Sequence, residues 1–350
     1  MNTDEKYIQR CLELAQNGKG STFPNPMVGA VIVYDDQIIG EGWHRQAGEP
    51  HAEIVAIESV KDKSLLKKST LYVNLEPCSH QGRTPACSLA IIEHRIPKVV
   101  ISHTDPNPLV SGKGVEMLHQ AGIKVITGIL EKEAMELNRF FIKYHRKKHP
   151  YIVLKWAQSA DRILTPFNAS RFAISNTYSR TLMHKWRSEI PAIMIGLNTL
   201  MVDNPRLDSR LWNENAPLPV ILGGPYDFEP YQVFDIHQKV LVFSEEHIEN
   251  PPPNVKVFRD TVLREILDQL YEQGILAVMV EGGANVLEQF IETGLWDEAR
   301  IFTSKVTLDE GLKAPALHDE VWLKACEIEG DKLDIYRHRQ NGLLQDGTYL

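Results

Sequence analysis

Apolar positions near the N-terminus recur at helical spacing. Tyr7, Ile8, Cys11, Leu12 and Leu14 follow Asn2 and Thr3, either of which can cap a helix that ends near Gly18 to Gly20. The period then shortens to that of strands. Residues 28–34 and 37–43 predict a hairpin turned at Asp35-Asp36, and residues 51–60 a helix. Residues 71–75 and 99–102 predict two further strands, joined by a helix that begins near Pro85, and Gly112, Gly114 and Gly122 punctuate a last strand-helix unit. The basic run over residues 143–150 is the expected domain boundary and reads as a solvated linker. Beyond it a fresh alternation begins, with apolar runs at 151–156, 192–195, 219–222, 240–243 and 276–280 and helical segments at 176–188 and 261–272. Residues 245–253, acidic and proline-rich, read as an exposed loop. Two α/β domains follow, residues 1–145 and 150–350.

Length supports the division, because 350 residues exceed what one core usually holds. A formal charge of -8 without a long basic block argues against a grip on nucleic acid and favours small-molecule substrates. Only four cysteines occur, Cys11, Cys78, Cys87 and Cys326, too few for a secreted disulfide scaffold, so a reducing cytoplasm is expected. No apolar run approaches the roughly 18 residues of a membrane span, and the polar start gives no sign of a signal peptide.

Chemistry concentrates first at His51-Ala52-Glu53, Pro77-Cys78 and Cys87. One imidazole and two thiolates suffice for a catalytic zinc, whose fourth position is left to water, and Glu53 then remains for proton transfer. Helix starts at His51 and near Cys87 would put positive helix ends beside thiolate and developing hydroxide. A structural zinc with His80 as fourth ligand is the competing reading, and it leaves Glu53 without a role. Cys11 falls on an apolar helix face, and Cys326 has no partner motif. His-x-Glu with a later Pro-Cys and a second cysteine is the signature of zinc nucleobase deaminases, although here eight residues rather than two separate the cysteines. A second candidate lies at residues 278–286, where a strand, a glycine turn and a helix start form a phosphate-binding arrangement. Such a turn is as often merely structural.

The long spacing narrows the field. The run from Pro77 to Cys87, with Pro24-Asn25-Pro26-Met27-Val28-Gly29, the run from Gly42 to Glu53, and Asp105-Pro106-Asn107-Pro108, closely resembles the deaminase domain of the bifunctional riboflavin-biosynthesis deaminase/reductases. Downstream, Lys155-Trp156-Ala157-Gln158-Ser159-Ala160-Asp161, Ser175, Arg187 and the run from Thr199 to Arg210 resemble the reductase domain of the same family over about residues 150 to 305. The resemblance implies a cytidine-deaminase-like α/β/α sandwich followed by a dihydrofolate-reductase-like α/β domain, with Zn2+ and NADPH as cofactors. It also implies a homo-oligomer. The reactions implied are hydrolytic deamination of 2,5-diamino-6-(5-phosphoribosylamino)pyrimidin-4-one and then reduction of its ribosyl chain to ribityl.

Residue by residue, the resemblance gives Glu53 the proton transfers and gives Asn25, His44, His80, Arg83, Asp105 and Asn107 the first substrate. In the second domain Ala157, Phe172, Thr199, Asp203 and the loop Gly283, Ala284, Asn285, Val286, Leu287 and Glu288 would contact cofactor. Ser170, Arg187, Leu207, Arg210 and Glu281 would contact substrate, and Lys155, with Glu281, would polarise or protonate the reacting sugar carbon. Asp203 has a plain alternative as a turn residue in Asp-Asn-Pro. The chain departs from the family at Arg162, where a glycine is usual after Ser-Leu-Asp, and at Phe172, where a tryptophan is common. Two other functions compete: a nucleoside or RNA deaminase with an inactive or unrelated C-terminal domain, and a zinc-stabilised protein that senses a pyrimidine or pterin.

Overall fold

The computed structural model describes residues 2–79, 86–107, 110–167, 173–224 and 227–341, and the chain divides after Lys148 into two compact units. The first contains helices α1 (Thr3–Ala15), α2 (Ala52–Ser59), α3 (Cys87–Glu93), α4 (Lys113–Gln120), α5 (Glu131–Leu137) and α6 (Arg139–Lys147). Its strands are β1 (Gly29–Tyr34), β2 (Gln37–Trp43), β3 (Thr70–Leu75), β4 (Lys98–His103) and β5 (Lys124–Thr127), ordered β2-β1-β3-β4-β5. Pairing is antiparallel for β1 with β2 and β3, and parallel from β3 through β5.

Alternation along these strands builds two cores. Ala30, Ile32, Leu71, Val73, Val99 and Ile101 pack with Ala56, Ile57, Ile91 and Leu118 on one face of the sheet. Val31, Val33, Tyr72 and Val100 pack with Tyr7, Ile8, Cys11 and Ala134 on the other. Each fully buried aliphatic side chain contributes about 1.5–3 kcal/mol, so the sheet is stabilised from both faces, as an α/β/α sandwich requires. Helix α1 starts with a reciprocal cap, Asn2 accepting from the Glu5 amide while Glu5 accepts from the Asn2 amide. Helix α2 lies close on β2 because a Cβ at Gly42 would come within 2.6 Å of Ala52 O and 2.5 Å of Ala56 N.

The second unit has a nine-stranded sheet ordered β11-β10-β9-β8-β12-β6-β13-β16-β15. Its strands are β6 (Tyr151–Gln158), β8 (Ala192–Gly196), β9 (Leu218–Leu222), β10 (Val240–Phe243), β11 (Val255–Phe258), β12 (Ala277–Val280), β13 (Glu298–Thr303), β15 (Glu320–Ile328) and β16 (Asp331–His338). A separate small pair joins β7 (Ile163–Thr165) to β14 (Leu312–Lys313). The sheet is parallel from β11 to β13, and an antiparallel β16-β15 hairpin finishes it. Its helices are α7 (Thr177–Glu189), α8 (Leu197–Asp203), α9 (Gln232–Ile236), α10 (Leu263–Glu272) and α11 (Ala284–Glu292). Ile152, Leu154, Met194, Val278 and Val280 pack on one face with Leu267 and Phe290, while Ile193, Ile195, Val240 and Val242 pack on the other with Leu200 and Phe234.

Four expectations need correction. The basic run is no linker: residues 143–147 continue α6, which ends only where Lys148 turns left-handed at φ 56. Its cations are solvated, but Phe141 on the same helix is buried, so one face belongs to the core. Asp203 is the last residue of a helix rather than a turn residue, with Asn204 taking the left-handed cap at φ 39. Residues 284–288 are not a loop but the start of α11, and the side chains of Val286 and Leu287 are core. Leu207, expected at the substrate, is 1% exposed and packed in the second core at φ 51. In each case burial of an apolar face decided the conformation, which motif matching does not weigh.

Candidate active sites

Local structure delivers the first donor set to one point. His51 is the N-cap of α2, Cys87 opens α3, and Cys78 follows β3 across Glu76-Pro77. Cys78 is held by the Cys87 amide, which donates to its Sγ at 3.2 Å, and by Ser88, whose amide and hydroxyl both donate to the Cys78 carbonyl. His51 Nδ1 lies 3.2 Å from Cys87 Sγ and 3.5 Å from Cys78 Sγ, and all three donor atoms fall within 4.8 Å of one another. Tetrahedral zinc, with bonds of about 2.3 Å to sulfur and about 2.05 Å to nitrogen, separates such ligands by roughly 3.6 Å. The donors therefore fit zinc without rearrangement.

Electrostatics agree with that fit. Hydrogen bonding from Cys87, then from His51, draws the Cys78 thiol below its ordinary value against its burial, while Cys78 and burial push Cys87 up, so the pair holds one thiolate and shares one proton that a cation would displace. Glu53, in the first turn of α2, is 3% exposed, and burial pushes its carboxyl up to about 7 although His51 opposes the shift. A carboxyl in that range both takes and returns protons near neutral pH.

Glu53, His51 and Cys78 open into a cavity of about 250 Å³ that is also lined by Asn25, His44, Asp105 and Asn107. His44 donates from Nδ1 to the Pro50 carbonyl at 3.2 Å, and burial lowers its pKa, so the ring is neutral and Nε2 accepts from Asn25 Nδ2 at 3.0 Å. That contact fixes the Asn25 amide. Four sequence-derived residues thus meet the metal ligands, while His80 and Arg83 lie outside the described residues.

Glu76 was not foreseen. Its buried carboxylate accepts four backbone N–H groups: Asp105 at 3.0 Å and Gly112 at 2.9 Å on Oε2, and Gly114 at 2.9 Å and Val115 at 3.2 Å on Oε1. Helix α4 has glycine as its N-cap, which offers no side chain, so Glu76 satisfies the orphan amides of its first turn. The same carboxylate pins the loop whose Asp105 Oδ1 accepts from the Asn107 amide at 2.8 Å. A polar Asn74 and Glu76 at the end of an apolar strand were the available signal, since such groups are buried only when paired.

In the second unit the ends of adjacent parallel strands converge. Glu281 follows β12, and its carboxylate takes a two-pronged grip from Arg187 on α7, Nε to Oε1 at 3.0 Å and Nη2 to Oε2 at 2.8 Å. Burial opposes the Glu281 charge, but Arg187 and then Lys155 outweigh it and hold the carboxyl at about 2. Lys155, on β6, is lowered from its ordinary value by burial, which Glu281 partly offsets. Arg187 also donates to the Asp208 carbonyl at 3.0 Å, and the Asp208 carboxylate pairs with Arg206 and Arg210. His184, one turn before Arg187, is 3% exposed with Nδ1 unpartnered among the described residues, and burial, reinforced by Arg187, pushes it down to about 4.

The glycine turn closes beside this cluster. A Cβ at Gly282 would lie 2.6 Å from Gly196 N and from Ile195 Cα, and Gly283 donates from its amide to Thr199 Oγ1 at 2.8 Å. Thr199 and Gly283 therefore meet, and Ala157 lies on the neighbouring β6. Asn285 and Glu288 are exposed on α11 and Asp203 is exposed at the end of α8, while Ser170 and Phe172 lie outside the described residues. Arg162 occupies a left-handed turn at φ 64, a conformation that glycine adopts without steric cost.

Residues 1–103 match the family described as the cytidine and deoxycytidylate deaminase zinc-binding region, and residues 150–322 match the RibD C-terminal domain. The chain is 40% identical to the riboflavin biosynthesis protein RibD of Aquifex aeolicus (strain VF5), over 88% of this chain and 89% of that protein. It is 34% identical to the RibD of Escherichia coli (strain K12), over 85% of this chain and 87% of that protein. The crystal structure of the diaminohydroxyphosphoribosylaminopyrimidine deaminase/5-amino-6-(5-phosphoribosylamino)uracil reductase of Thermotoga maritima is similar with a TM-score of 0.89 and 36% identity, covering 96% of this chain and 99% of that one. No helix among the described residues is long and apolar enough to cross a membrane. With deaminase and reductase regions in tandem and relatives matched along most of their length, the chain belongs to the RibD family of bifunctional riboflavin-biosynthesis enzymes.

Proposed function

We propose that the two reactions of the family are carried by the two residue clusters described above, the deamination by the cavity around Glu53 and the reduction by the cluster around Lys155 and Glu281. The observation that carries the proposal is the meeting of His51, Cys78 and Cys87 within 4.8 Å beside a buried carboxyl. When bound, zinc supplies a water acidified towards neutral pH and NADPH supplies hydride. His51, Cys78 and Cys87 would hold the metal; Glu53 would take one proton from the attacking water and pass it to the pyrimidine ring nitrogen, then take the second from the newly added hydroxyl and deliver it to the amine, which leaves as ammonia. Asn25, fixed by His44, and the Asp105–Asn107 loop, fixed by Glu76, hold the pyrimidine edge.

In the second unit, Lys155 would donate the proton taken up by the imine nitrogen of the ring-opened sugar as hydride reaches its carbon, the Lys155 ammonium made more acidic by burial. Glu281, kept ionised by Arg187, accepts from substrate hydroxyls, and the first-turn amides of α11 with Thr199 receive the anionic cofactor. A reducing cytoplasm suits a chain that must keep Cys78 and Cys87 as thiolates for metal, and homo-oligomeric assembly, checked by light scattering, completes the proposal. Substrates are small molecules rather than nucleic acid, in keeping with the charge of -8. The decisive experiment supplies the phosphoribosylated diaminopyrimidinone with NADPH and follows ammonia and NADPH absorbance together. Both signals are expected; ammonia without NADPH oxidation would remove the reductase half, and no ammonia would remove the deaminase half.

A further inference from the structure

The cavity around Glu53 has one wall that neither the metal motif nor the polar loop supplies. It is made by α6, which presents Phe141 and, one turn later, His145. The His145 ring is braced edge-on by Phe141, with centroids 4.4 Å apart, and by Tyr144, at 5.2 Å. Phe141 is 8% exposed and serves as packing, but an imidazole on a cavity wall does more than fill space, because it carries two polar nitrogens. Neither nitrogen of His145 makes a hydrogen bond among the described residues, in contrast to His44, where both are engaged.

We propose that His145 is a substrate-contacting residue of the deaminase site, which hydrogen-bonds a polar group of the bound aminopyrimidine ribosyl and so helps to select it. The inference rests on the deaminase reading above. The amino-bearing carbon must lie against His51, Cys78 and Glu53, which leaves His145, a wall residue outside that set, to groups of the substrate that do not react. Burial lowers the His145 pKa, which keeps the ring neutral with one donor and one acceptor nitrogen. That pairing suits hydroxyl, amine or carbonyl groups and not the phosphate, which calls for a cation. A contact made equally in ground and transition states acts on KM and leaves kcat unchanged.

The test compares the full-length zinc-loaded wild type with His145→Phe and His145→Gln, measuring ammonia release against substrate concentration, bound zinc per chain and the separate reductase rate on deaminated substrate. Phenylalanine keeps the aromatic packing and removes both nitrogens. The expected result for His145→Phe is a KM raised about tenfold, the loss of one well-made hydrogen bond, with kcat, zinc content and reductase rate unchanged. Glutamine, which restores a donor and an acceptor, should recover part of the lost affinity. An unchanged KM in His145→Phe, or a loss confined to kcat or zinc content, overturns the inference while the deaminase reading stands. If the wild type itself releases no ammonia, that reading fails and this inference falls with it.

Discussion

Replacing Glu76 by Gln tests whether one buried carboxylate organises the deaminase site. The substitution preserves shape but turns one of two oxygens into an NH2 group. Whichever way the amide is placed, one pair of backbone donors then faces another donor: either Asp105 and Gly112, or Gly114 and Val115. Each lost bond to a charged acceptor is worth about 1.5–3 kcal/mol, so two give a destabilisation of roughly 3–6 kcal/mol before relaxation. The effect should stay local to the first unit, since all five residues lie before Lys148. Hydrogen exchange read by mass spectrometry on peptides spanning residues 105–118 should show faster exchange, urea unfolding followed through peptides of the first unit should shift to lower concentration, and the KM of deamination should rise while the reductase rate holds. A stability change under about 1 kcal/mol with unaltered exchange in those peptides would refute the capping role of Glu76.

Four further outcomes follow from the same structure. Glu53→Gln should lower deamination by about 10²–10⁴-fold while bound zinc, measured by atomic emission, stays at the wild-type level; retained turnover would remove Glu53 as proton carrier. Lys155→Met should abolish NADPH oxidation and spare ammonia release, whereas an undiminished reductase rate would exclude Lys155 from the chemistry. Arg162→Gly should raise stability of the second unit by about 0.5–1 kcal/mol, because relief of a left-handed backbone outweighs the added chain entropy; a lower unfolding midpoint would contradict this. His103 is 4% exposed with Nε2 unpartnered among the described residues, and burial pushes its pKa down to about 4 from 6.5. The unfolded chain then binds the proton more readily, so stability present above pH 6.5 is lost as pH falls towards 4, by roughly 3 kcal/mol. His103→Leu should flatten that slope, and an unchanged slope would rule His103 out as its source.

Sequence alone determined the parts of this protein that depend on local rules. The spacing of Tyr7, Ile8, Cys11 and Leu12 defines an amphipathic helix, and the period-two runs define strands of both sheets, because side-chain direction follows directly from helix and strand geometry. Zinc chemistry was equally legible, since ligand identity sets metal preference and His51, Glu53, Cys78 and Cys87 sit in a recognisable order. Tertiary structure decided what depends on partners distant in sequence. Glu76 matters through amides 29 to 39 residues away, and His145 enters the cavity only because α6 buries one face while its basic side chains stay in water. Leu207 went to the core and residues 284–288 into a helix for the same reason: burial of apolar surface across the fold outweighs any preference that a short motif can express.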